Sequence, residues 1–224
     1  MEPRLLILET SHRFGTVALA HGAVIVGERS LDESRRHARD LVPAIHELLT
    51  RHQWRARDLD GVIVSRGPGS YTGLRVGLMS AKTLAYATGC ALLAIDTFAA
   101  IYQPISAYPN VDIIADAQQD NIYVQRFGAD PEPLTIVPLA VWLESALAKR
   151  TSVAGPGLET FEGRLPAELA ILPRETWLPL PTGLLTLGLA RYRKGERDEP
   201  FAVEPLYLRA SSAEQKWDRL HPRS

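Results

Sequence analysis

Ile7-Leu8-Glu9-Thr10-Ser11 begins a pattern that returns in the second half of the chain as Ile114-Ala115-Asp116-Ala117-Gln118. In each stretch an apolar strand ends on an acidic residue, Glu9 or Asp116, just before a predicted hairpin. One such match is weak support, but two at matching places in the two halves indicate a duplicated unit. Because strands and helices are interleaved, we predict an α/β fold with two related lobes.

The elements between these two stretches predict what each lobe contains. A three-stranded meander comes first, followed by a helix, a short apolar strand at residues 62–64, a second helix and a further strand. Around residues 103–110 the chain becomes polar and contains proline, which is typical of a lobe boundary. We therefore predict an N-terminal lobe at 1–102, a C-terminal lobe at 103–210 and a polar tail at 211–224.

Composition limits the classes of function. The 224 residues carry a formal net charge of -1, whereas a protein that grips nucleic acid alone usually has a basic excess. We therefore expect any contact with RNA to be indirect. The single cysteine, Cys90, excludes an intramolecular disulfide and suits a reducing compartment. The apolar run at residues 5–8 is too short for a signal peptide or a membrane span, so we expect a cytoplasmic protein without membrane contact.

Residues 67–77, GPGSYTGLRVG, form a glycine-rich turn between a predicted strand and a predicted helix. Backbone N–H groups at the start of a helix can hold phosphate. The segment is not a Walker loop, because Leu74 stands where a lysine would follow the last glycine, and its spacing differs from the dinucleotide fingerprint. Two interpretations stay open at this point, a phosphate-binding turn and a tight connection without a ligand.

The helix after this turn carries Gly73, Gly77 and Ala81 at intervals of four residues, so the three share one face. A glycine inside a helix costs roughly 1 kcal/mol relative to alanine, which indicates that another backbone approaches closely. That backbone belongs either to this chain, in its first helix or its sheet, or to a partner protein. Periodicity alone does not decide between them.

The turn and helix resemble the signature of the TsaB (YeaZ) family. Its residues here are Gly67, Pro68, Gly69, Ser70, Tyr71, Thr72 and Gly73, continued by Leu74-Arg75-Val76-Gly77. Four other stretches resemble the family in the same order along the chain. They are Ile7-Leu8-Glu9-Thr10-Ser11, His37-Ala38-Arg39-Asp40-Leu41-Val42-Pro43, Ala115-Asp116-Ala117 with Ile122-Tyr123, and Pro205-Leu206-Tyr207-Leu208-Arg209.

The resemblance implies the two-lobed fold of actin-like ATPases and sugar kinases, with a mixed sheet in each lobe. It implies a subunit that binds and activates TsaD, the catalytic paralogue that transfers a threonylcarbamoyl group to adenosine 37 of tRNA. TsaE, a small ATPase, would join the assembly, and the protein would also form homodimers. In the family the first two helices pack on TsaD, and they correspond here to residues 34–52 and 74–87. The partner-binding residues expected on them are Leu41, Ile45, Gly73, Arg75, Gly77 and Ala81.

The resemblance and the residues together argue against catalysis. The catalytic paralogue binds metal through a His-x-x-x-His pair, and the corresponding stretch here, Ala94 to Ala100, contains no histidine. We therefore expect no catalytic residue, no metal and no cofactor. The family usually has aspartate where this chain has Glu9, which adds doubt to nucleotide chemistry. The alternative is an independent ATPase or phosphotransferase of the actin-like fold, suggested by the glycine turn and the acidic strand ends.

Overall fold

The structure is a computed structural model that describes residues 2–31 and 37–208. Its first sheet has five strands in the order β3-β2-β1-β4-β5. The meander β1-β2-β3 is antiparallel, whereas β4 runs parallel to β1 and β5 runs parallel to β4. The strands are β1 (Arg4–Glu9), β2 (Thr16–His21), β3 (Val24–Ser30), β4 (Gly61–Gly67) and β5 (Ala91–Asp96).

The second sheet repeats this layout. Its order is β10-β9-β6-β7-β8. The meander β6-β7-β8 is again antiparallel, whereas β9 runs parallel to β6 and β10 runs parallel to β9. The strands are β6 (Asn110–Asp116), β7 (Asn121–Gly128), β8 (Glu132–Pro138), β9 (Ser152–Ala154) and β10 (Ala170–Ile171). The duplicated α/β unit predicted from the two acidic strand ends is therefore confirmed.

Six α-helices connect and cover the sheets in the described part of the chain. They are α1 (His37–Arg51), α2 (Tyr71–Thr88), α3 (Thr97–Tyr102), α4 (Leu139–Lys149), α5 (Gly157–Phe161) and α6 (Pro181–Arg193). None of the helices in residues 2–31 and 37–208 has the length and apolar character needed to cross a membrane. Residues 34–36 of the predicted first helix, Arg209 and the predicted tail lie outside the described residues.

Helices α1 and α2 cover one face of the first sheet. Leu41, Leu48, Leu78 and Ala81 share a buried cluster there with alternate residues of β1, β2 and β4. The amphipathic pattern of α1 explains this placement, because its apolar side chains recur on one side of the helix. On this face of the sheet, α1 lies over β2 and β3, whereas α2 lies over β4 and β5.

The opposite face of the first sheet is covered by α6, which comes from the far end of the chain. Leu184, Leu185 and Leu189 pack there against side chains of β1, β4 and β5 such as Ile7 and Ile63. In turn, α3 contributes Phe98 to the core of the second sheet. Helices α3 and α6 thus each pack on the sheet whose strands lie on the other side of residue 102 in the sequence.

After α6 the chain returns along the first lobe as a segment without helix or strand, residues 196–208, which turns at residues 199–203 and which we call the C-terminal strap. The Asp198 N–H donates to the carbonyl of Leu92 (2.9 Å), and the Ala94 N–H donates to Asp198 Oδ2 (2.7 Å). Arg191 holds the same carboxylate at 3.0 Å. The strap thus satisfies the free edge of β5, which would otherwise expose unpaired backbone groups.

Candidate partner surface and signature turn

The signature turn is held to the end of β1 and to its own helix by backbone hydrogen bonds. The Ser70 N–H donates to the carbonyl of Ser11 (2.7 Å), and the Ser70 hydroxyl caps α2 by accepting the Gly73 N–H (3.3 Å). The Leu74 N–H donates to the carbonyl of Ser70 (2.8 Å), and the Gly67 N–H to Thr97 Oγ1 (3.2 Å). These four N–H groups are engaged within the chain. Those of Gly69, Tyr71 and Thr72 are not among them, so these hydrogen bonds leave both interpretations of the turn open.

The inner face of α2 explains why small residues are needed. A Cβ added at Gly73 would lie 2.0 Å from the carbonyl oxygen of Thr10, and one at Gly77 would lie 2.1 Å from Thr10 Oγ1. A Cβ at Gly69 would lie 2.4 Å from the carbonyl oxygen of Ser11. The close backbone predicted from the glycine spacing therefore belongs to this chain, at the loop that follows β1.

Glu9 is buried at the end of β1, beside this contact. Burial raises the pKa of its carboxyl from 4.5 to about 7, against the opposing effect of hydrogen bonds from Ser11 and Ser65. The Ser11 N–H and hydroxyl both donate to Glu9 Oε1, at 2.6 and 2.5 Å. At this position the carboxyl is thus bound by groups of its own lobe.

The equivalent position in the second lobe has the same local hydrogen bond in a different environment. The Gln118 N–H donates to Asp116 Oδ1 at 2.6 Å, as the Ser11 N–H does to Glu9. Asp116 is exposed, whereas Glu9 is buried under α2. Gln118, Gln119 and Asp120 all have positive φ, a left-handed turn that the sequence pattern did not predict.

The predicted partner-binding residues fall into two groups. Leu41, Ile45, Gly73, Gly77 and Ala81 are buried between the helices and the first sheet, so their side chains do not reach the surface of this chain. Arg75 is exposed, and its guanidinium lies 4.0 Å from the ring centre of Tyr71 and 5.7 Å from that of Tyr207. Arg75 Nε also donates to the Tyr207 hydroxyl (3.1 Å), which ties the C-terminal strap to α2.

Opposite the inner face, α2 exposes a second set of side chains that the sequence analysis missed. Met79 and Tyr86 lie two helical turns apart and are 58% and 72% exposed. On α1, Val42 is 62% exposed. The apolar residues of α2 thus recur on two faces, and the glycine spacing drew attention to the inner one. We call Val42, Met79 and Tyr86, with the helix surface around them, the outer face.

Comparison with known proteins places this arrangement in a family. The model of the family described as TsaD, tRNA N6-adenosine threonylcarbamoyltransferase, matches residues 31–137, which contain α1, α2 and the signature turn. Over nearly its whole length the chain is 30% identical to the tRNA threonylcarbamoyladenosine biosynthesis protein TsaB of Haemophilus influenzae, covering 96% of each protein.

The chain belongs to the TsaB family. The TsaB protein of Bacillus subtilis is 29% identical to it, over 95% of this chain and 97% of that protein. YeaZ from Pseudomonas aeruginosa superposes with a TM-score of 0.75 at 24% identity, covering 92% of this chain and all of that one. The two-lobed actin-like fold expected from the TsaB resemblance is confirmed.

Proposed function

We propose that this protein is a non-catalytic subunit in the biosynthesis of threonylcarbamoyladenosine at position 37 of tRNA, acting by binding and activating TsaD. Two comparisons support the proposal. Relatives that match nearly the whole chain are named as threonylcarbamoyladenosine biosynthesis proteins, and residues 31–137 resemble the transferase family itself. Proteins that share a fold and its helices can pair through equivalent surfaces, as the two copies in a symmetric dimer do.

The observation that carries the proposal is the outer face. Val42, Met79 and Tyr86 are large apolar side chains, each more than half exposed, on two helices that pack side by side. We propose that these side chains belong to one apolar patch, and exposed apolar patches commonly mark protein interfaces. The buried residues Leu41, Ile45, Gly73, Gly77 and Ala81 would then support the surface from beneath, and the outer face itself would contact TsaD.

The non-catalytic part of the proposal rests on the chemistry of the first lobe. The carboxyl of Glu9 is buried and bound to Ser11, and N–H groups of the glycine turn are engaged within the chain. An independent ATPase of this fold would need groups at these positions that are available to nucleotide and metal. We include in the proposal a cytoplasmic location, self-association as a homodimer, recruitment of TsaE by the assembled pair, and contact with tRNA only through TsaD.

Reconstitution with the TsaD and TsaE of the same organism tests this function. Size-exclusion chromatography with light scattering should show a mixed complex with TsaD. The purified protein alone should leave tRNA unmodified, and omitting it should strongly reduce modification by TsaD and TsaE. Modification of tRNA by this protein in the absence of TsaD would contradict the non-catalytic role.

Titration with ATP and magnesium separates this proposal from the ATPase alternative. We expect no heat of binding at about millimolar nucleotide for the isolated protein, because the turn lacks the lysine of a Walker loop and the N–H groups of Gly67, Ser70 and Gly73 already have partners within the chain. Saturable binding, followed by hydrolysis in the same sample, would favour an independent ATPase or phosphotransferase instead.

A further inference from the structure

The C-terminal strap lies beside α2, on the side away from α1. It binds the edge strand β5 through Asp198 and then runs along α2, where Lys82 Nζ donates to the carbonyl of Val203 (2.9 Å). Farther along, the Leu206 N–H donates to the carbonyl of Arg66 at the end of β4 (2.7 Å). The segment between Asp198 and Val203 is therefore fixed at both ends.

Phe201 stands between these two attachments and is 77% exposed. Its ring meets that of Tyr86 edge to face, with centroids 5.5 Å apart and an interplanar angle of 77°. This geometry is favourable for aromatic pairs and orients both rings before any partner binds. Two aromatic side chains held together at the surface are typical of interface anchors, where Tyr and other aromatic residues dominate binding energy.

The area required for a stable complex supports a contribution from the strap. Helices of 15 and 18 residues, lying side by side, present a face of roughly 25 by 20 Å, or about 500 Å². A specific interface usually buries about 800 Å² on each partner. The strap adds a third ribbon along α2, so that Phe201 extends the outer face without a break from Tyr86.

We propose that Phe201 and Tyr86 form an anchor at the border of the outer face and insert against an apolar surface of the catalytic paralogue. The inference rests on the function proposed above and assigns a further binding element to it. Phe201 lies outside residues 31–137, the part of the chain that matches the transferase family. Phe201 thus comes from a segment beyond the matched region, and it packs against Tyr86 of α2, which lies within that region.

Isothermal titration of the same organism's TsaD with variants of this protein tests the anchor. Phe201→Ala should weaken binding about tenfold or more, as expected for an aromatic anchor, and Tyr86→Ala should do the same. Phe201→Tyr should retain most of the affinity because the ring remains. Val141→Ala, at a 57% exposed position on α4 in the other lobe, is the matched control and should bind like the wild type.

The outcomes separate the anchor from the function on which it rests. If Phe201→Ala binds TsaD as tightly as the wild type while Met79→Glu does not bind, the anchor is wrong and the outer face stands. The anchor also fails if Phe201→Ala changes only self-association, measured by sedimentation of this protein alone. Absence of wild-type binding would overturn the proposed function and the anchor with it. Unfolding temperatures of the variants should match the wild type, because both rings are largely exposed.

Discussion

The two faces of α2 differ in what they tolerate, although both are built from apolar and small residues. The inner face, with Gly73 and Gly77, meets the backbone and side chain of Thr10 with no room for a methyl group. The outer face, with Met79 and Tyr86, projects away from the core of this chain. Helix α2 thus has two roles. Its inner face packs against the loop after β1 within the first lobe, and its outer face is available for a partner.

Gly73→Ala should have the largest effect on stability. The added Cβ would lie 2.0 Å from a backbone oxygen, so the loop after β1 or the helix must shift. We expect the free energy of unfolding to fall by about 3 kcal/mol, at the upper end of the cost of overpacking. Urea unfolding followed by circular dichroism measures it.

Gly163→Ala is the matched control for this change, because nothing lies within 4 Å of its added Cβ. Its free energy of unfolding should stay within about 0.5 kcal/mol of the wild type. Equal losses at Gly73 and Gly163 would contradict the close contact with Thr10.

Glu9→Gln should make stability less dependent on pH. The carboxyl of Glu9 has a pKa of about 7 in the folded protein and an ordinary value of 4.5, so the folded state binds the proton more tightly. Between these values the folded wild type retains a proton that the unfolded chain has lost, and the free energy of unfolding therefore decreases as pH rises. The total decrease in the free energy of unfolding is up to about 3 kcal/mol and is complete above pH 7.

Because the glutamine does not titrate, the stability of Glu9→Gln relative to the wild type should increase from pH 4.5 to pH 7 and then level off. Denaturant unfolding at a series of pH values gives this difference directly. A difference for Glu9→Gln that does not change with pH would show that burial does not perturb this carboxyl.

Thr10→Ala should reduce the loss of stability that Gly77→Ala causes. The Cβ added at Gly77 would meet Thr10 Oγ1 at 2.1 Å, so we expect a loss of about 2 kcal/mol despite the better helix propensity of alanine. Thr10 Oγ1 is buried and finds no hydrogen-bond partner among the described residues, so Thr10→Ala removes the obstacle without breaking a polar contact. In the Thr10→Ala protein, Gly77→Ala should lower the free energy of unfolding by less than about 1 kcal/mol. Independent, additive losses would exclude the direct contact.

Substitutions on the outer face should have the smallest effect on stability. Tyr86→Ala removes a side chain that is 72% exposed, and its contact with Phe201 lies at the surface. We expect the free energy of unfolding to change by about 0.5 kcal/mol or less. A loss similar to that of Gly73→Ala would mean that the outer face supports the fold of this chain.

The sequence allowed the duplicated lobes and the existence of α2 to be predicted, but not which face of α2 points inward. Glu9 and Asp116 made the duplicated lobes predictable, because each ends an apolar run just before a hairpin. A stripe of small residues such as Gly73 and Gly77 requires a nearby backbone and says nothing about whose backbone it is. Only the position of Thr10 in the folded chain resolves that choice.

Two further elements were beyond sequence reasoning for different physical reasons. The C-terminal strap has neither helical nor strand periodicity, and its position depends on long-range bonds such as that between Asp198 and Leu92. Helix α6 returns to the first sheet from the far end of the chain, and that return is a matter of tertiary packing. Val42, Met79 and Tyr86 were missed because an apolar side chain on a helix is more often buried than exposed.

The most direct test of the central claim is the affinity of TsaD for two charge substitutions at equally exposed positions. Met79→Glu places a carboxylate on the outer face, and Val141→Glu places one on α4 of the second lobe, at positions 58% and 57% exposed. We expect Met79→Glu to raise the dissociation constant at least about a hundredfold, because a charge buried unpaired in an interface costs several kcal/mol. Val141→Glu should bind like the wild type. Equal affinity of both variants and the wild type would contradict the assignment of the outer face as the TsaD-binding surface.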